Sequence, residues 1–259
     1  MRVLQGKIVL ITGAAGGVGA ETARQLAALG AIPILTGRDM EKLERLSRSI
    51  GGEHGVYELD VTDFDAVQDV VRRVAGTYGR IDVLLNNAGY GVFELFEDAP
   101  LERFEAMMDT NYMGAVRCAK AVLPVMRAQG GGQIVNVASM AGKISTAKAS
   151  GYAATKHAVL GFTNALRAEL APLNIAVSAV NPGPIDTPFL RTADPDGSYA
   201  SRVRGYMLTP ERVAGAIVNV IRKRTPEVDL PMSASIGIRL YGLFPRFADR
   251  VAGRWLNRK

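Results

Sequence analysis

Short apolar runs alternate along the chain with longer stretches in which apolar residues recur every three or four positions. The runs cover residues 7–12, 32–36, 55–59, 81–86, 133–138 and 175–180. They are rich in Val, Ile and Leu and do not alternate with polar residues, which is the pattern of strands buried on both faces. The stretches between them, 18–29, 40–50, 63–78, 101–129 and 150–171, carry helical periodicity. A β-α-β-α rhythm of this kind predicts an α/β fold: one doubly wound parallel sheet with helices on both faces. Thr62, with Asp65 three residues on, reads as a capping box, and Pro100 suits a first helical turn. Residues 182–208 hold four prolines and no clear period. A segment this long fits a functional lid, expected near 184–208.

The helices at 101–129 and 150–171 are apolar over more than one stripe, whereas a helix lying only on a sheet needs one such face. The second face is expected to join subunits, as a homodimer or homotetramer. Composition narrows the class further. Of 259 residues, 48% are hydrophobic and 22% charged, which excludes a disordered or fibrous chain. One Cys and two His cannot build a Cys/His zinc site, and no metal is expected. No apolar run has the length of a membrane span or of a signal peptide core, so a cytoplasmic protein is expected.

The net charge of +6 is concentrated at the end of the chain. Residues 237–259 hold six basic residues against Asp249. The remainder is nearly neutral, and no nucleic-acid partner is expected. The domain boundary is placed after 232, with 233–259 as a basic extension. From Arg246, the residues Phe247, Val251 and Trp255 share one helical side, and arginines mostly hold the other. Packing of this amphipathic helix on protein is favoured over peripheral membrane contact.

The first strand runs into Thr12-Gly13-Ala14-Ala15-Gly16-Gly17-Val18-Gly19, and a helix follows. A strand, a glycine turn and a helix N-terminus make a pyrophosphate site: glycines let the backbone come close, and free N–H groups face the anion. At the end of the second strand the chain reads Thr36-Gly37-Arg38, with no acid before Asp39. A carboxylate there would repel a ribose 2′-phosphate, whereas a guanidinium can pair with it. NADP(H) is therefore favoured over NAD(H). Asp60, at the end of the third strand, is placed to accept from an adenine amino group.

Tyr152 and Lys156 stand at i and i+4, on one helix face. A nearby cation favours the phenolate and is expected to lower the phenol pKa, which suits proton exchange with a carbonyl or alcohol oxygen. Ser139, directly after the run at 133–138, can orient that oxygen.

Together these stretches resemble the short-chain dehydrogenase/reductase family. The resemblance covers about residues 5–232. It rests on Thr12-Gly13-x-x-x-Gly17-x-Gly19, Asn86-Asn87-Ala88-Gly89, Asn111, Ser139, Tyr152-x-x-x-Lys156 and Pro182-Gly183-x-Ile185-x-Thr187. It implies a seven-stranded Rossmann sheet of order 3-2-1-4-5-6-7. It implies that Tyr152 is the general acid/base, that Lys156 tunes it and binds the nicotinamide ribose, that Ser139 holds the substrate carbonyl, and that Asn111 holds a water reaching Lys156. Gly13, Gly17, Val18, Gly19, Arg38, Asp60, Val61, Asn87, Ala88, Gly89, Tyr152, Lys156, Pro182, Gly183, Ile185 and Thr187 would meet the cofactor. The substrate lining, by the same analogy, includes Tyr90, Val92, Met140, Ile144, Phe189 and residues of 190–208. Most of these are apolar, which suggests a ketone or aldehyde with an apolar body. A 3-oxoacyl thioester reductase of fatty-acid metabolism is an alternative. Gln133 and Leu173 stand where carrier-protein reductases of the family have Arg. A non-catalytic NADPH-binding regulator is the other alternative.

Overall fold

The buried runs become parallel strands of one sheet. The computed structural model describes residues 4–194 and 197–233; the extension proposed for 233–259, with its amphipathic helix, lies outside the described residues except for Ser233. The strands are β1 (Ile8–Ile11), β2 (Ile32–Gly37), β3 (Gly55–Glu58), β4 (Val83–Asn86), β5 (Gly132–Val137), β6 (Ile175–Pro182) and β7 (Glu227–Leu230). The sheet order is β3-β2-β1-β4-β5-β6-β7, parallel throughout. Six strands match apolar runs; the seventh was implied only by the family resemblance.

The helices are α1 (Gly17–Ala28), α2 (Met40–Ser49), α3 (Phe64–Tyr78), α4 (Leu101–Met108), α5 (Gly114–Ala128), α6 (Ser150–Leu170), α7 (Pro188–Ala193), α8 (Ser198–Val203) and α9 (Pro210–Lys223). They form a layer on each face. Successive side chains of a strand point to opposite faces, and β1 shows the division. Val9 and Ile11 join a core with Ala23 and Leu26 of α1, Leu43 of α2 and Ile217 of α9. Ile8 and Leu10 join the opposite core with Val70 of α3, Val122 of α5 and Leu170 of α6. Among the described residues no helix is long and apolar enough to cross a membrane.

Three local expectations need correction. The helix expected over 101–129 is divided, because a π-helical turn at Asp109–Met113 separates α4 from α5. Thr62 does not cap α3. Its hydroxyl donates to Asp60 instead, and the Asp63 side chain accepts from the Ala66 N–H. Pro100 is the residue before α4 and lies outside its first turn. The segment expected to form a lid contains α7 and α8, and its two ends meet where Ile185 bridges Leu208. α9, amphipathic and capped by Thr209, was not among the expected helices.

Candidate active site

The cofactor-side elements meet at the C-terminal end of the sheet, on either side of β1 and β4. Gly13 has φ +63°, and a Cβ there would lie 2.9 Å from Ala88 Cα. At Gly17 a Cβ would meet Thr187 Cγ2 at 2.7 Å, and at Gly19 it would meet the Gly13 carbonyl oxygen at 2.5 Å. Side chains at these places would fill the cradle, so the backbone stays open to a phosphate at the α1 N-terminus. Thr12 and Asn87 hold the two loops together. The Thr12 hydroxyl accepts from the N–H groups of Asn87 and Ala88 at 3.0 Å, and Asn87 Nδ2 donates to the carbonyls of Thr12 and Gly13 at 3.0 Å.

Arg38 follows β2 and is 75% exposed, with its guanidinium 3.9 Å from the Asp60 carboxylate. The Thr62 N–H and hydroxyl both donate to Asp60 Oδ1, at 2.9 and 2.8 Å. Burial works to raise the Asp60 pKa. The Thr62 bonds and the charges of Arg38 and Arg117 outweigh it and hold the carboxyl below its ordinary value.

β5 and α6 bring the reactive side chains together. Ser139 follows β5, and its Oγ accepts from the Ala141 N–H at 3.1 Å. Tyr152 is partly buried. The apolar surroundings push its phenol up to about 12, with the neighbouring Ser139 hydroxyl acting in the opposite direction. The downward shift expected from Lys156 is thus not found. The Lys156 ammonium donates to the Val137 carbonyl at 2.9 Å and stands 5.7 Å from the Tyr152 ring centroid. Burial lowers Lys156 itself to about 8. Asn111, in the π-helical turn, is buried. Its Oδ1 accepts from the Tyr90 N–H at 2.9 Å, and its Nδ2 donates to the Tyr90 carbonyl and to Thr155 Oγ1 at 2.8 and 3.0 Å. Its carboxamide therefore fixes the Tyr90 loop against α6.

One cleft of about 390 Å³ is lined by every residue expected to meet the cofactor, together with Ser139, Tyr152 and Lys156. Asn111 lies behind the lining. Tyr90, Met140 and Phe189 line the cleft as expected, but Val92 and Ile144 do not. Phe93, Thr110, Lys148 and Ala149 also line it and had not been singled out. Phe93 carried a usable signal, an aromatic residue four positions beyond the Asn-Asn-Ala-Gly stretch. The arrangement offers a glycine cradle at a helix N-terminus, an exposed cation after β2, and a protonated phenol beside a serine and a lysine. A parallel α/β sheet with such a cleft at its C-terminal edge defines a dinucleotide-type oxidoreductase.

Comparison with known proteins agrees. The sequence model described as short chain dehydrogenase matches residues 7–197, and the chain belongs to that family of oxidoreductases. A putative ketoacyl reductase of the monensin polyketide synthase from Streptomyces virginiae is 38% identical over 226 residues, covering 85% of this chain and 83% of that one. The crystal structure of a short chain dehydrogenase/reductase from Burkholderia phymatum in complex with NAD superposes with a TM-score of 0.87 at 25% identity, covering 95% of this chain and 96% of that chain. An actinorhodin polyketide ketoreductase with NADPH superposes with a TM-score of 0.80 at 31% identity, covering 89% and 97%.

Proposed function

We propose that the protein is an NADP(H)-preferring oxidoreductase that moves a hydride between nicotinamide and the carbonyl or alcohol carbon of an apolar small molecule. The observation that carries this reading is the position of Tyr152, Ser139 and Lys156 in the same cleft as the glycine cradle. The dinucleotide, when bound, supplies or takes the hydride. Tyr152, with its pKa raised to about 12, is protonated at neutral pH. It gives its hydroxyl proton to the carbonyl oxygen as hydride reaches the carbonyl carbon, and the product is an alcohol. The Ser139 hydroxyl orients that oxygen. Lys156, protonated below about pH 8, stabilises the phenolate left behind and holds the nicotinamide ribose. Asn111 positions the Tyr90 loop and α6. Arg38 favours the 2′-phosphate form of the cofactor, since residues 36–38 contain no acid to repel it.

A 3-oxoacyl thioester is the second substrate class, favoured by the likeness to the two polyketide ketoreductases. Self-association through α4, α5 and α6 draws support at α4 alone, from Leu101 at its start and Phe96 in the turn before it, which are 67% and 75% exposed. A cytoplasmic location accords with a lone cysteine that is buried as a free thiol.

The test is NADPH oxidation by the full-length protein against 3-oxoacyl thioesters, steroids, sugars and retinoid-like aldehydes. Tyr152→Phe should lower turnover by about 10²–10⁴-fold while NADPH affinity stays within a few-fold. Wild-type rates in that variant would overturn the role of Tyr152. Tight NADPH binding with no turnover of any carbonyl would favour the regulator reading.

A further inference from the structure

Aromatic rings from separate segments run in a row through the substrate half of the cleft. Tyr199 of α8 meets Phe93 edge to face, with centroids 5.0 Å apart and planes at 64°. Phe93, from the chain after β4, meets Tyr152 at 5.7 Å and 72°. Tyr152 in turn meets Phe189 of α7 at 5.7 Å and 55°. All of these rings line the cleft. Backbone contacts fix the row. The Phe93 N–H donates to the Ala193 carbonyl at 2.7 Å, which ties the β4 loop to the end of α7. Gly91 leaves room for the rings, because a Cβ there would lie 2.9 Å from Tyr152 Cδ2 and 3.1 Å from Phe189 Cζ.

We propose that Phe93, Phe189 and Tyr199 are specificity-determining residues that select a ketone or aldehyde whose carbonyl is carried on a planar ring. The inference rests on the oxidoreductase reading above and names its substrate class. Burial alone does not require such a lining, since Leu or Ile would remove the same apolar area from water. Rings add a directional term, because a planar substrate can meet their faces and edges in offset or edge-to-face contact. One or two such contacts amount to about a tenfold preference. An open chain makes no such contact and also loses rotamer freedom on binding.

The test compares 1-tetralone and 2-decanone, which have the same carbon number, with the full-length protein and saturating NADPH. The wild-type kcat/KM should favour 1-tetralone by about tenfold or more. Phe93→Leu and Tyr199→Leu should bring the ratio toward one, chiefly through KM for 1-tetralone, and leave NADPH affinity unchanged. Tyr199→Phe, which keeps the ring, should keep the ratio. Equal or better use of 2-decanone by the wild type would overturn the proposal, as would an undiminished ratio in the Leu variants. Calorimetric titration of both ketones into Tyr152→Phe loaded with NADPH gives the same comparison without turnover. Tighter binding of 1-tetralone there, with no reduction by the wild type, sustains the ring selection and counts against the oxidoreductase reading. Equal affinities, or no measurable binding of either, overturn the ring selection itself.

Discussion

Arg38 is exposed and stands beyond normal hydrogen-bond reach of Asp60, so its guanidinium can turn to a 2′-phosphate without breaking a buried pair. A charge-assisted contact at so open a place is worth roughly 1–2 kcal/mol. Arg38→Ala should therefore weaken NADPH by about 5- to 30-fold and leave NADH within about twofold. Fluorescence titration of both cofactors checks this, and equal losses for the two would refute the role. The Lys156 value gives a pH prediction. Its ammonium is present below about pH 8 and lost above it, and a cation is needed where the phenolate forms. Carbonyl reduction should accordingly decline as pH rises through about 8, and a profile flat to pH 10 would contradict this. The identities of Ser139, Tyr152 and Lys156 were legible because chemistry restricts residue type at fixed spacing. The direction of the Tyr152 shift was not. Spacing of i and i+4 puts two side chains on one face, but the partner that Lys156 Nζ takes, the Val137 carbonyl, depends on the approach of β5.

At the scale of elements, the turn after β5 is joined to the edge of the sheet by partly buried charge. Lys143 closes the 3₁₀ turn Met140–Gly142 that follows Ser139. Its ammonium donates to Asp229 Oδ1 at 2.6 Å and also pairs with Glu227. Asn181 Nδ2 donates to the same carboxylates at 2.7 and 2.9 Å. Burial works to lower the Lys143 pKa, but the bonds from Asp229 and Glu227 outweigh it and raise it. The stabilisation is therefore complete at neutral pH and is lost only as pH rises through the elevated value. Lys143→Met should cost about 1–3 kcal/mol, because it removes the cation that faces two carboxylates. It should also lower kcat, by loosening the Ser139 turn, with little effect on NADPH affinity. Lys143→Arg should restore most of both. Unfolding in urea and steady-state kinetics separate the two effects, and an unchanged kcat in a destabilised variant would leave Lys143 structural only. The same cluster explains why β7 was hidden. Glu-Val-Asp-Leu does not read as a buried strand unless the partners of its acids are known, and those lie 46 and 86 positions away in sequence. The split between α4 and α5 was hidden for a related reason. A π-helical turn is a local change from i→i+4 to i→i+5 backbone bonding over a few residues, which residue types alone do not mark, and it is in this turn that Asn111 bonds Tyr90 and Thr155.

At the scale of the whole molecule, the parallel sheet gathers its chemistry at one end, so the other end serves stability alone. Asp82 lies there, just before β4, with its side chain only 7% exposed. Its Oδ1 accepts from Lys7 Nζ and Arg80 Nη2 at 2.7 Å, and its Oδ2 accepts from Arg80 Nε and the Ile8 N–H at 3.0 Å. One carboxylate thereby ties the entry of β1 to the entry of β4, the two central strands. Burial works to raise its pKa, but the bonds from Arg80, Lys7 and Ile8 outweigh it and hold it below the ordinary 3.8. A depressed carboxylate pKa contributes stability that is present above the unfolded value and lost as pH falls through the folded one. That contribution should be complete at pH 7 and should fade below about pH 3.8. Lys7 and Arg80 are about half exposed, so solvent screens the pairs, and the carboxylate is worth roughly 1–3 kcal/mol. Asp82→Asn should lower Tm by about 2–12 °C at pH 7, given about 2–4 °C per kcal/mol for a chain of this size. The gap from wild type should narrow as pH falls below 3.8, because the wild-type carboxyl is then neutralised as well. Cofactor affinity and turnover at pH 7 should be unchanged, since Asp82 does not line the cleft. Thermal unfolding of both proteins across pH 3–7 decides it, and a gap that stays constant with pH would show that the ionised carboxylate is not what holds β1 to β4.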